Sequence, residues 1–436
     1  MHARPLRSRM PMLRSITRSS AYCLLCIPLN AVATAQDSLP PTEESEEPPT
    51  FHEAVVSGEH WINLRLRGEM VDQDGFGKEA LALTLRTVLG YETARYRGWS
   101  ALVEVEDIST IGAETFNSTV NGTTDRPVIA DPDITEINQA YVSYTGIEDT
   151  TIRFGRQRIQ LDNWRFVGNA PWRQNEQTFD ATSITNTSVD DLTLFAAYVT
   201  NVNRVLGDEN PAGNLSSSAV LLNAGYQLED WGKLVAYSYD LDNDGGFTGL
   251  STQTLGGSFV GRVPIGEGTG GESHADPSAT FHAEFARQSD TGDNPFEIDA
   301  DYSRFEGGIA WDDTHVRLGQ ETLGGSGSPG DSFSTPFAAL HGVNGLADQF
   351  LITPDDGLED LYLRVSHRIG DTRVVAAYHR FTSDTNSRDY GSEFDLTAVH
   401  PLADNTSVGF KLAAFDADDA AFNDTTRVIL WLQFAF

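Results

Sequence analysis

Apolar and polar residues alternate along most of this chain with a period of two. In the segment INLRLRGE, Ile62, Leu64 and Leu66 share one face of an extended backbone, and Arg65 and Arg67 share the other. A period of two predicts a strand whose two faces lie in different environments. The pattern begins near residue 58 and recurs to the C-terminus, so we expect an all-β chain.

Eighteen segments carry this alternation. Their mean length is about 11 residues, the length of a tilted strand that crosses a bilayer. The segments are approximately 58–70, 79–91, 97–108, 136–146, 150–158, 176–184, 190–200, 218–228, 232–242, 250–262, 278–289, 300–311, 314–322, 358–368, 372–382, 391–400, 406–416 and 425–436. An even number of such strands returns the C-terminus to the side from which the first strand starts.

The connections between these segments alternate between long and short. The long ones include 109–135, 159–175, 201–217 and 323–357. The short ones include 147–149, 229–231, 312–313 and 369–371, and 263–277 is the exception. Long outer loops and short periplasmic turns are typical of membrane barrels. The pattern therefore predicts an 18-stranded antiparallel transmembrane β-barrel of the bacterial outer membrane.

The C-terminus supports this interpretation. The chain ends in RVILWLQFAF, in which Val428, Leu430, Leu432, Phe434 and Phe436 share one face. This stretch resembles the last strand of outer-membrane barrels. A soluble β-sandwich is the alternative fold, but charged residues on the polar faces of many strands suit a water-filled lumen better.

The N-terminus has a different composition from the rest of the chain. Residues 1–35 have a basic start, an apolar stretch from Ala21 to Ala33 and the cleavage pattern Ala33-Thr34-Ala35, which together predict a secretory signal peptide. Residues 36–57 are acidic and proline-rich, so we predict a disordered tether. The barrel is then expected to occupy residues 58–436, in the outer membrane of a Gram-negative bacterium.

The charge balance excludes one class of partner. The chain has 30 basic and 63 acidic residues, and loss of a signal peptide with five arginines leaves 25 against 63, a net charge of −38. Nucleic acid is therefore not an expected partner. Both cysteines, Cys23 and Cys26, lie in the signal peptide, so the mature chain is predicted to contain no disulfide.

No catalytic motif or firm cofactor site emerges from the sequence. GEGTGG (266–271) fits a dinucleotide fingerprint but lacks a following helix, and GGSGSPG near residue 324 lacks the strand-to-helix context of a nucleophile elbow. In DLDNDG, Asp240, Asp242 and Asp244 are spaced as the first ligands of a calcium loop, but the twelfth position is Ser251. A polar hairpin is the stronger interpretation, and a weak surface calcium site the alternative.

Arginine on the polar faces is the main functional signal. Alternation places Arg65, Arg67, Arg86 and Arg364 on polar faces, and Arg153 is expected to join them. Arg156 and Arg158 share the apolar face of Phe154 unless a bulge or the loop turns them. These arginines either pair with carboxylates such as Glu104, Glu106, Asp180 and Glu284 and stiffen the barrel, or line an anion channel.

Several long stretches resemble the alginate-export outer-membrane porin family. The main ones are GRQRIQLDNWRFVGNAPWRQNEQTFDA (155–181), FSTPFAALHGVNGLADQFLITPDDGLEDLYL (333–363) and LRLRGEMVDQDGFGKEALALTLRTVLGY (64–91). The resemblance implies an 18-stranded monomeric barrel in which inward-folded loops narrow an arginine-rich constriction. By position it assigns the lining to Arg65, Arg67, Arg86, Arg153, Arg156, Arg158, Arg165, Arg173 and Arg364, with Glu104, Asp180 and Glu284 beside them.

The expected function is passage of an anionic polysaccharide of the alginate or uronate type through the outer membrane, without catalysis. A general or oligosaccharide porin is the alternative within transport, and an outer-membrane barrel enzyme is the alternative from another class. The expected partners are the polysaccharide, outer-membrane lipid with lipopolysaccharide, and a periplasmic secretion partner. Loop residues 159–175 are expected to form half of the constriction, held in place by Trp164 and Trp172.

Overall fold

The structure is a computed structural model that describes residues 49–266 and 277–436. The predicted signal peptide and most of the predicted tether lie outside these described residues. The structure contains one short helix, α1 (Phe51–Val56), a 3-10 turn at Gly245–Leu250, and eighteen strands. The predicted number of strands is thus confirmed.

The strands follow the sequence in order around the barrel. They are β1 (Glu59–Gln73), β2 (Ala80–Glu92), β3 (Trp99–Thr110), β4 (Ile134–Ile147), β5 (Thr150–Gln157), β6 (Thr178–Val189), β7 (Leu192–Asn203), β8 (Asn214–Leu228), β9 (Gly232–Leu241), β10 (Thr252–Pro264), β11 (Ser278–Asp290), β12 (Asp299–Trp311), β13 (Thr314–Leu323), β14 (Leu358–Ile369), β15 (Thr372–Thr382), β16 (Asp389–Ala403), β17 (Thr406–Ala417) and β18 (Thr425–Ala435). Most bounds agree with the periodicity within a few residues, but β6 continues to Val189 and β8 begins already at Asn214.

The sheet closes on itself. Each strand pairs antiparallel with its neighbours in sequence, and β1 pairs with β18, with Leu66 opposite Leu432 and Arg67 opposite Trp431. Closure gives every strand a hydrogen-bonded partner on both sides, which leaves no open sheet edge. The predicted 18-stranded antiparallel barrel is confirmed.

The polarity of the wall is inverted relative to that of a soluble protein. Along β1, Arg65, Arg67 and Glu69 are buried, whereas Leu66 between them is exposed. The same alternation leaves Leu83, Leu255 and many other apolar side chains exposed on the outer face. Apolar side chains outside and charged side chains inside are what a membrane-spanning barrel requires.

Three outer loops fold into the lumen and give the barrel its core. We name them L2 (residues 111–133), L3 (residues 158–177) and L7 (residues 324–357). The main cluster of buried apolar residues combines loop residues with strand residues. Its members include Phe166 and Val167 of L3, Phe333, Phe337 and Phe350 of L7, and Tyr237, Tyr302, Phe381 and Phe415 of the wall. The lumen is therefore partly filled by folded loops.

The predicted tether is partly wrong, because residues 51–56 form α1. Thr50 caps this helix through its hydroxyl, which accepts a hydrogen bond from the Glu53 N–H at 3.3 Å, and the Glu53 carboxylate accepts one from the Thr50 N–H at 2.7 Å. This reciprocal capping box stabilises a helix start that composition alone does not reveal. Among the described residues, no helix has the length and apolar character needed to span a membrane.

Candidate transport site

L3 and L7 meet inside the barrel and form one folded unit. The Gly168 N–H donates to the Phe337 carbonyl at 2.9 Å, and the Ala339 N–H donates to the Trp164 carbonyl at 3.2 Å. The Gln177 amide also donates to the Phe337 carbonyl, at 3.0 Å. Backbone hydrogen bonds between two loops far apart in sequence fix their relative position, so together they narrow the passage.

One side of the lumen, formed by β1–β5, β18 and the loops that lie against them, is a network of matched charges that we call the paired wall. Its ion-paired cations are Arg67, Arg86, Arg158, Arg173 and Arg427, its carboxylates are Glu69, Glu104, Glu106, Asp131, Glu176 and Asp348, and Arg65 lies among them with loop oxygens as its partners. All are buried except Arg158, which is partly exposed.

Arg65 holds L3 through backbone oxygens. Its guanidinium donates to the Pro171 carbonyl at 2.9 Å, to the Gln174 side chain at 2.8 Å, and to the Arg173 carbonyl. Buried carbonyl groups need hydrogen-bond partners, and Arg65 supplies them at the point where L3 crosses the lumen. Arg65 therefore positions the loop rather than facing the passage.

Arg67 connects β1 with L2 and L3. It donates to the Asp131 carboxylate of L2, lies 3.2 Å from Glu69, and donates to the Trp172 carbonyl at 2.6 Å. Its guanidinium also lies over the Trp172 ring, 4.5 Å from the centroid. A cation over an aromatic face is attracted by the ring quadrupole, so Trp172 is anchored as predicted.

Glu176 of L3 joins Arg86 of β2 and Arg158 at the start of L3. It accepts hydrogen bonds from Arg86 at 3.0 Å and from Arg158 at 2.8 Å. Arg86 also pairs with Glu106, and Arg158 with Glu104. Burial opposes ionisation of Glu176, but Arg158 and Arg86 outweigh it and lower its pKa to about 2. The group is a permanent negative charge that neutralises its partners.

The other two arginines of L3, Arg165 and Arg173, are paired as well. Arg165 donates to Glu321 at 2.9 Å and to the Asn344 side chain of L7 at 3.1 Å. Arg173 donates to Asp348 of L7 at 3.0 Å. Both therefore lock L3 to L7 or to the wall. Arg165 also lines a cavity on the opposite side of the lumen.

The opposite side of the lumen, which we call the open wall, carries an excess of positive charge. Its cations are Arg304, Arg317, Arg364 and Arg373 on β12–β15 and Lys411 on β17. These five side chains line one cavity together with Arg165, Trp164 and Tyr362, whereas the only carboxylates in the cavity lining are Glu321 and Asp395. Glu321 is already engaged by Arg165. The cavity is therefore cationic.

Geometry within the open wall concentrates like charges. Arg317 and Arg364 are directly opposite each other in the β13–β14 register. Arg304 and Arg317 each lie 3.4 Å from the single carboxylate of Glu306. Arg364 forms no ion pair within residues 49–266 and 277–436, and its guanidinium lies 5.7 Å from the Tyr362 ring centroid. Like charges opposite each other are unfavourable, and an anion in the cavity would relieve their repulsion.

Two other predicted residues, Arg156 and Asp180, lie at the outer rim, away from this cavity. Arg156 and Asp180 pair with each other at 2.8 Å at the outer ends of β5 and β6, where both are partly exposed. Arg156 instead lines a separate rim pocket with Glu136 and Arg204. The expectation that Arg156 and Asp180 belong to the lumen constriction is therefore wrong. Strict alternation leaves Arg156 on the face of Phe154, as the sequence already indicated, and Asp180 lies opposite Arg156 in the β5–β6 register.

Arg153 and Glu284 do lie on the lumen side of the wall. Arg153 is opposite the buried Ser143 and Ser183 in register, and its guanidinium lies 5.3 Å from the Tyr141 ring centroid. Glu284 accepts a hydrogen bond from the Tyr237 hydroxyl at 3.0 Å and lies 3.3 Å from His282. Within the part of the chain that the structure describes, Glu284 thus supports the wall through Tyr237 and His282 and has no arginine as an ion-pair partner.

Sequence reasoning missed most of the open wall. Arg304, Arg317, Arg373 and Lys411 follow the same alternation that identified Arg65, since apolar residues such as Val316 and Leu318 flank Arg317. The signal was therefore available in the sequence. The calcium alternative gains no support: among residues 49–266 and 277–436, no three His, Cys, Asp or Glu side chains form a metal-binding group, so Asp240, Asp242 and Asp244 are not brought together as ligands.

Comparisons with known proteins agree with the fold and the family resemblance. The family model described as alginate export matches residues 61–253, from β1 to the beginning of β10. No curated protein sequence matches the chain. The stretch 333–363, which also resembles the family, lies outside the matched range.

Solved outer-membrane porins share the barrel. OccAB4 of Acinetobacter baumannii is 13% identical, with a TM-score of 0.66 over 87% of this chain and 98% of that chain. OpdQ of Pseudomonas aeruginosa is 15% identical, with a TM-score of 0.65 over 88% and 99%. OpdK of the same organism, solved with vanillate, is 13% identical, with a TM-score of 0.65 over 87% and 99%. Such identities establish the fold alone.

Proposed function

We propose that this chain is an outer-membrane channel of the alginate-export type in a Gram-negative bacterium. We further propose that its cargo is an anionic polysaccharide of the uronate class. The fold and the family match support a channel, and the finer proposal concerns what passes through it. The observation that carries it is the cationic cavity of the open wall, whose described lining contains five arginines, one lysine and two carboxylates.

Arginine suits this cargo for a chemical reason. A guanidinium is planar, remains charged and offers a fork of donors that matches a carboxylate. Uronate polymers carry one carboxylate on each sugar, so neighbouring groups can contact several cations of the open wall in succession. Within a narrow lumen such attractions are stronger than in bulk water. Conduction also requires that each site release its ligand, which several weak sites allow better than one strong site.

The contacts between L3 and L7 support passage of an extended chain. These loops narrow the lumen beside the open wall, and Trp164 and Tyr362 contribute aromatic surface to the cavity. Aromatic faces can pack against sugar rings while the guanidiniums bind the carboxylates. Pairing of β1 with β18 completes the pore within one chain, and we further propose that the barrel acts as a monomer.

A channel for small organic carboxylates is the second candidate. The observation that favours it is the fold shared with OpdK, which was solved with vanillate. The same cationic cavity would attract a single carboxylate as well as a polymer. The two candidates differ in whether a second and third sugar add to binding.

Conductance in planar bilayers tests both candidates on the purified protein. We expect anion preference in a salt gradient and block of the current by uronate oligomers that strengthens with oligomer length. A neutral oligosaccharide of equal length is the control and should block much less. Block that is independent of length would favour the small-carboxylate channel, and cation preference would contradict both.

A further inference from the structure

The structure has an apolar surface at its periplasmic end that transport does not explain. It consists of α1 and the β2–β3 turn (residues 93–98). Phe51 and Val56 of α1 are 67% and 63% exposed, and Val55 is also exposed. The surface lies at the start of the barrel, where the chain leaves the predicted tether.

Specific contacts hold α1 to the barrel wall. The Ala94 N–H donates to the Ala54 carbonyl at 2.9 Å, and Ala54 is fully buried. The Tyr91 hydroxyl donates to the Val55 carbonyl and accepts from the Gly58 N–H at 3.1 Å. The helix is therefore fixed against β2 and not free to bury its apolar side elsewhere in the chain.

These contacts place α1 beside the lipid-facing side of the wall. Tyr91 shares a face of β2 with the exposed Leu89, because residues two apart on a strand point the same way. Phe51 packs edge-to-face against Tyr96, with 5.8 Å between ring centroids. The nearby Trp99 is exposed and lies against Tyr144, with 4.6 Å between centroids. Tryptophan and tyrosine on the outer wall are characteristic of the membrane–water interface.

The turn beside α1 supplies positive charge. Arg95 and Arg97 are exposed, and the Arg97 guanidinium lies 5.3 Å from the Tyr96 ring centroid. Neither arginine forms an ion pair with the parts of the chain that the structure describes. Exposed apolar side chains beside guanidiniums that lack a carboxylate partner among the described residues suit a lipid leaflet, in which acyl chains lie below anionic phosphates.

We propose that α1 and the turn 93–98 form an interfacial anchor that inserts into the periplasmic leaflet of the outer membrane and binds the phosphate groups of its phospholipids. Continuity with the apolar belt through Leu89 and Trp99 identifies lipid as the occupant. The anchor fixes the point at which the N-terminal segment leaves the membrane. This inference does not depend on what the channel transports.

Depth-dependent fluorescence quenching on the full chain tests the anchor. Cys23→Ser and Cys26→Ser remove both native cysteines, and Val56→Cys then carries a small fluorophore. The protein is reconstituted in vesicles of phosphatidylethanolamine and phosphatidylglycerol. We expect strong quenching by lipids spin-labelled near the headgroup, weaker quenching by lipids labelled near the bilayer centre, and several-fold less quenching by aqueous iodide than at a control site.

The matched control site is Asp404→Cys in the exposed β16–β17 turn, at the same end of the barrel. A second control, Leu89→Cys on the lipid-facing wall, shows that the barrel is folded and inserted. The anchor would be overturned if iodide quenched Val56→Cys as strongly as Asp404→Cys while lipid still quenched Leu89→Cys. That result would favour a binding surface for a periplasmic protein. Arg95→Gln with Arg97→Gln should reduce headgroup quenching at Val56→Cys, and an unchanged signal would remove the phosphate contact from the proposal.

Discussion

The two sides of the lumen use arginine in opposite ways. In the paired wall, five arginines form ion pairs with six carboxylates, and loop oxygens occupy the donors of a sixth arginine, Arg65. In the open wall, Arg304, Arg317, Arg364, Arg373 and Lys411 line a cavity whose carboxylates, among the described residues, are Glu321 and Asp395. Arg304 and Arg317 share one further carboxylate, that of Glu306. Most members of both sets lie on lumen faces of regular strands, and only Arg158 and Arg173 of the paired wall lie in L3. The position on a strand therefore does not decide the role.

The difference comes from the loops. L2 and L3 bring Asp131 and Glu176 against the paired wall, where they neutralise Arg67 and Arg86. On the other side, Arg165 of L3 takes up Glu321 of the wall itself, which leaves the neighbouring cations with fewer counter-charges. An inward loop can therefore either cancel the charge of a wall or leave it available to a passing anion.

The largest expected effect is loss of stability in the paired wall. Glu176→Ala removes a shared acceptor of Arg86 and Arg158 and leaves the buried Arg86 and the partly exposed Arg158 with one carboxylate fewer. Removing one partner of a buried charge network costs about 3–5 kcal/mol of the free energy of unfolding. Urea unfolding of the reconstituted barrel measures it.

Arg364→Gln in the open wall is the matched control for this change. Arg364 forms no ion pair with the described residues, so we expect its replacement to alter the unfolding free energy by less than about 1 kcal/mol. Equal destabilisation by Glu176→Ala and Arg364→Gln would remove the distinction between the two walls.

The second prediction concerns binding in the open wall. Arg364→Gln combined with Arg373→Gln removes two cavity guanidiniums, and a hydrogen bond to a charged group contributes about 1.5–3 kcal/mol. The concentration of uronate oligomer that half-blocks the bilayer current should therefore rise roughly tenfold or more. Anion preference should fall in parallel.

Arg287→Gln is the control for this pair, because it removes an arginine that lies on the exposed rim and is 65% exposed. It should leave block and selectivity unchanged. If the same concentration of uronate oligomer half-blocks the double variant and the unaltered protein, the open wall does not bind the cargo.

The third prediction concerns the pH dependence of stability and rests on His341 of L7, which lies where the two walls meet. Its imidazole stacks on Trp172 with 3.7 Å between centroids, lies 2.7 Å from Asp348 and accepts from Lys411 at 2.9 Å. Burial lowers the pKa of His341 well below its ordinary value, and Lys411 and Arg173 lower it further while Asp348 opposes them. The folded state therefore holds this histidine neutral.

The sign of the pH dependence follows from linkage. A histidine in the unfolded chain binds a proton below pH about 6.5, whereas folded His341 does not, so stability decreases as pH falls below about 6.5 by up to about 1.4 kcal/mol per pH unit. His341→Gln should flatten this part of the unfolding profile. His52→Gln, at an exposed position of α1, is the control and should retain the slope; an unchanged slope in His341→Gln would show that other groups set it.

Periodicity predicted the wall but not the contents of the lumen. Alternation identified the strands and put Arg65, Arg86 and Arg364 on the inner face, and the same rule applied evenly would have added Arg317 and Arg373. It could not distinguish Arg65 from Arg364, because the partners of Arg65 are carbonyls of L3 more than one hundred residues away. Loop paths depend on tertiary packing and leave no period in the sequence.

The helix α1 shows a different limitation of sequence-based prediction. A local signal for a helix start was present, but the composition of the surrounding segment favoured disorder instead. Thr50 and Glu53 have the spacing of a capping box, which marks a helix start even in a proline-rich segment. The acidic composition of residues 36–57 favoured disorder over the whole range. At the end of a segment, a short motif with a defined hydrogen-bond pattern should therefore be considered together with composition when secondary structure is predicted.

The smallest expected effect comes from an ion pair outside both walls and sharpens their comparison. Arg287 and Asp299 pair at the outer ends of β11 and β12, where their side chains are 65% and 73% exposed. Water screens such a pair, so Arg287→Ala should change the free energy of unfolding by about 0–1 kcal/mol, and high salt should abolish the difference. Urea unfolding in low and high salt measures both. A loss as large as that of Glu176→Ala would mean that arginine–carboxylate contact alone, without burial by an inward loop, stabilises this barrel.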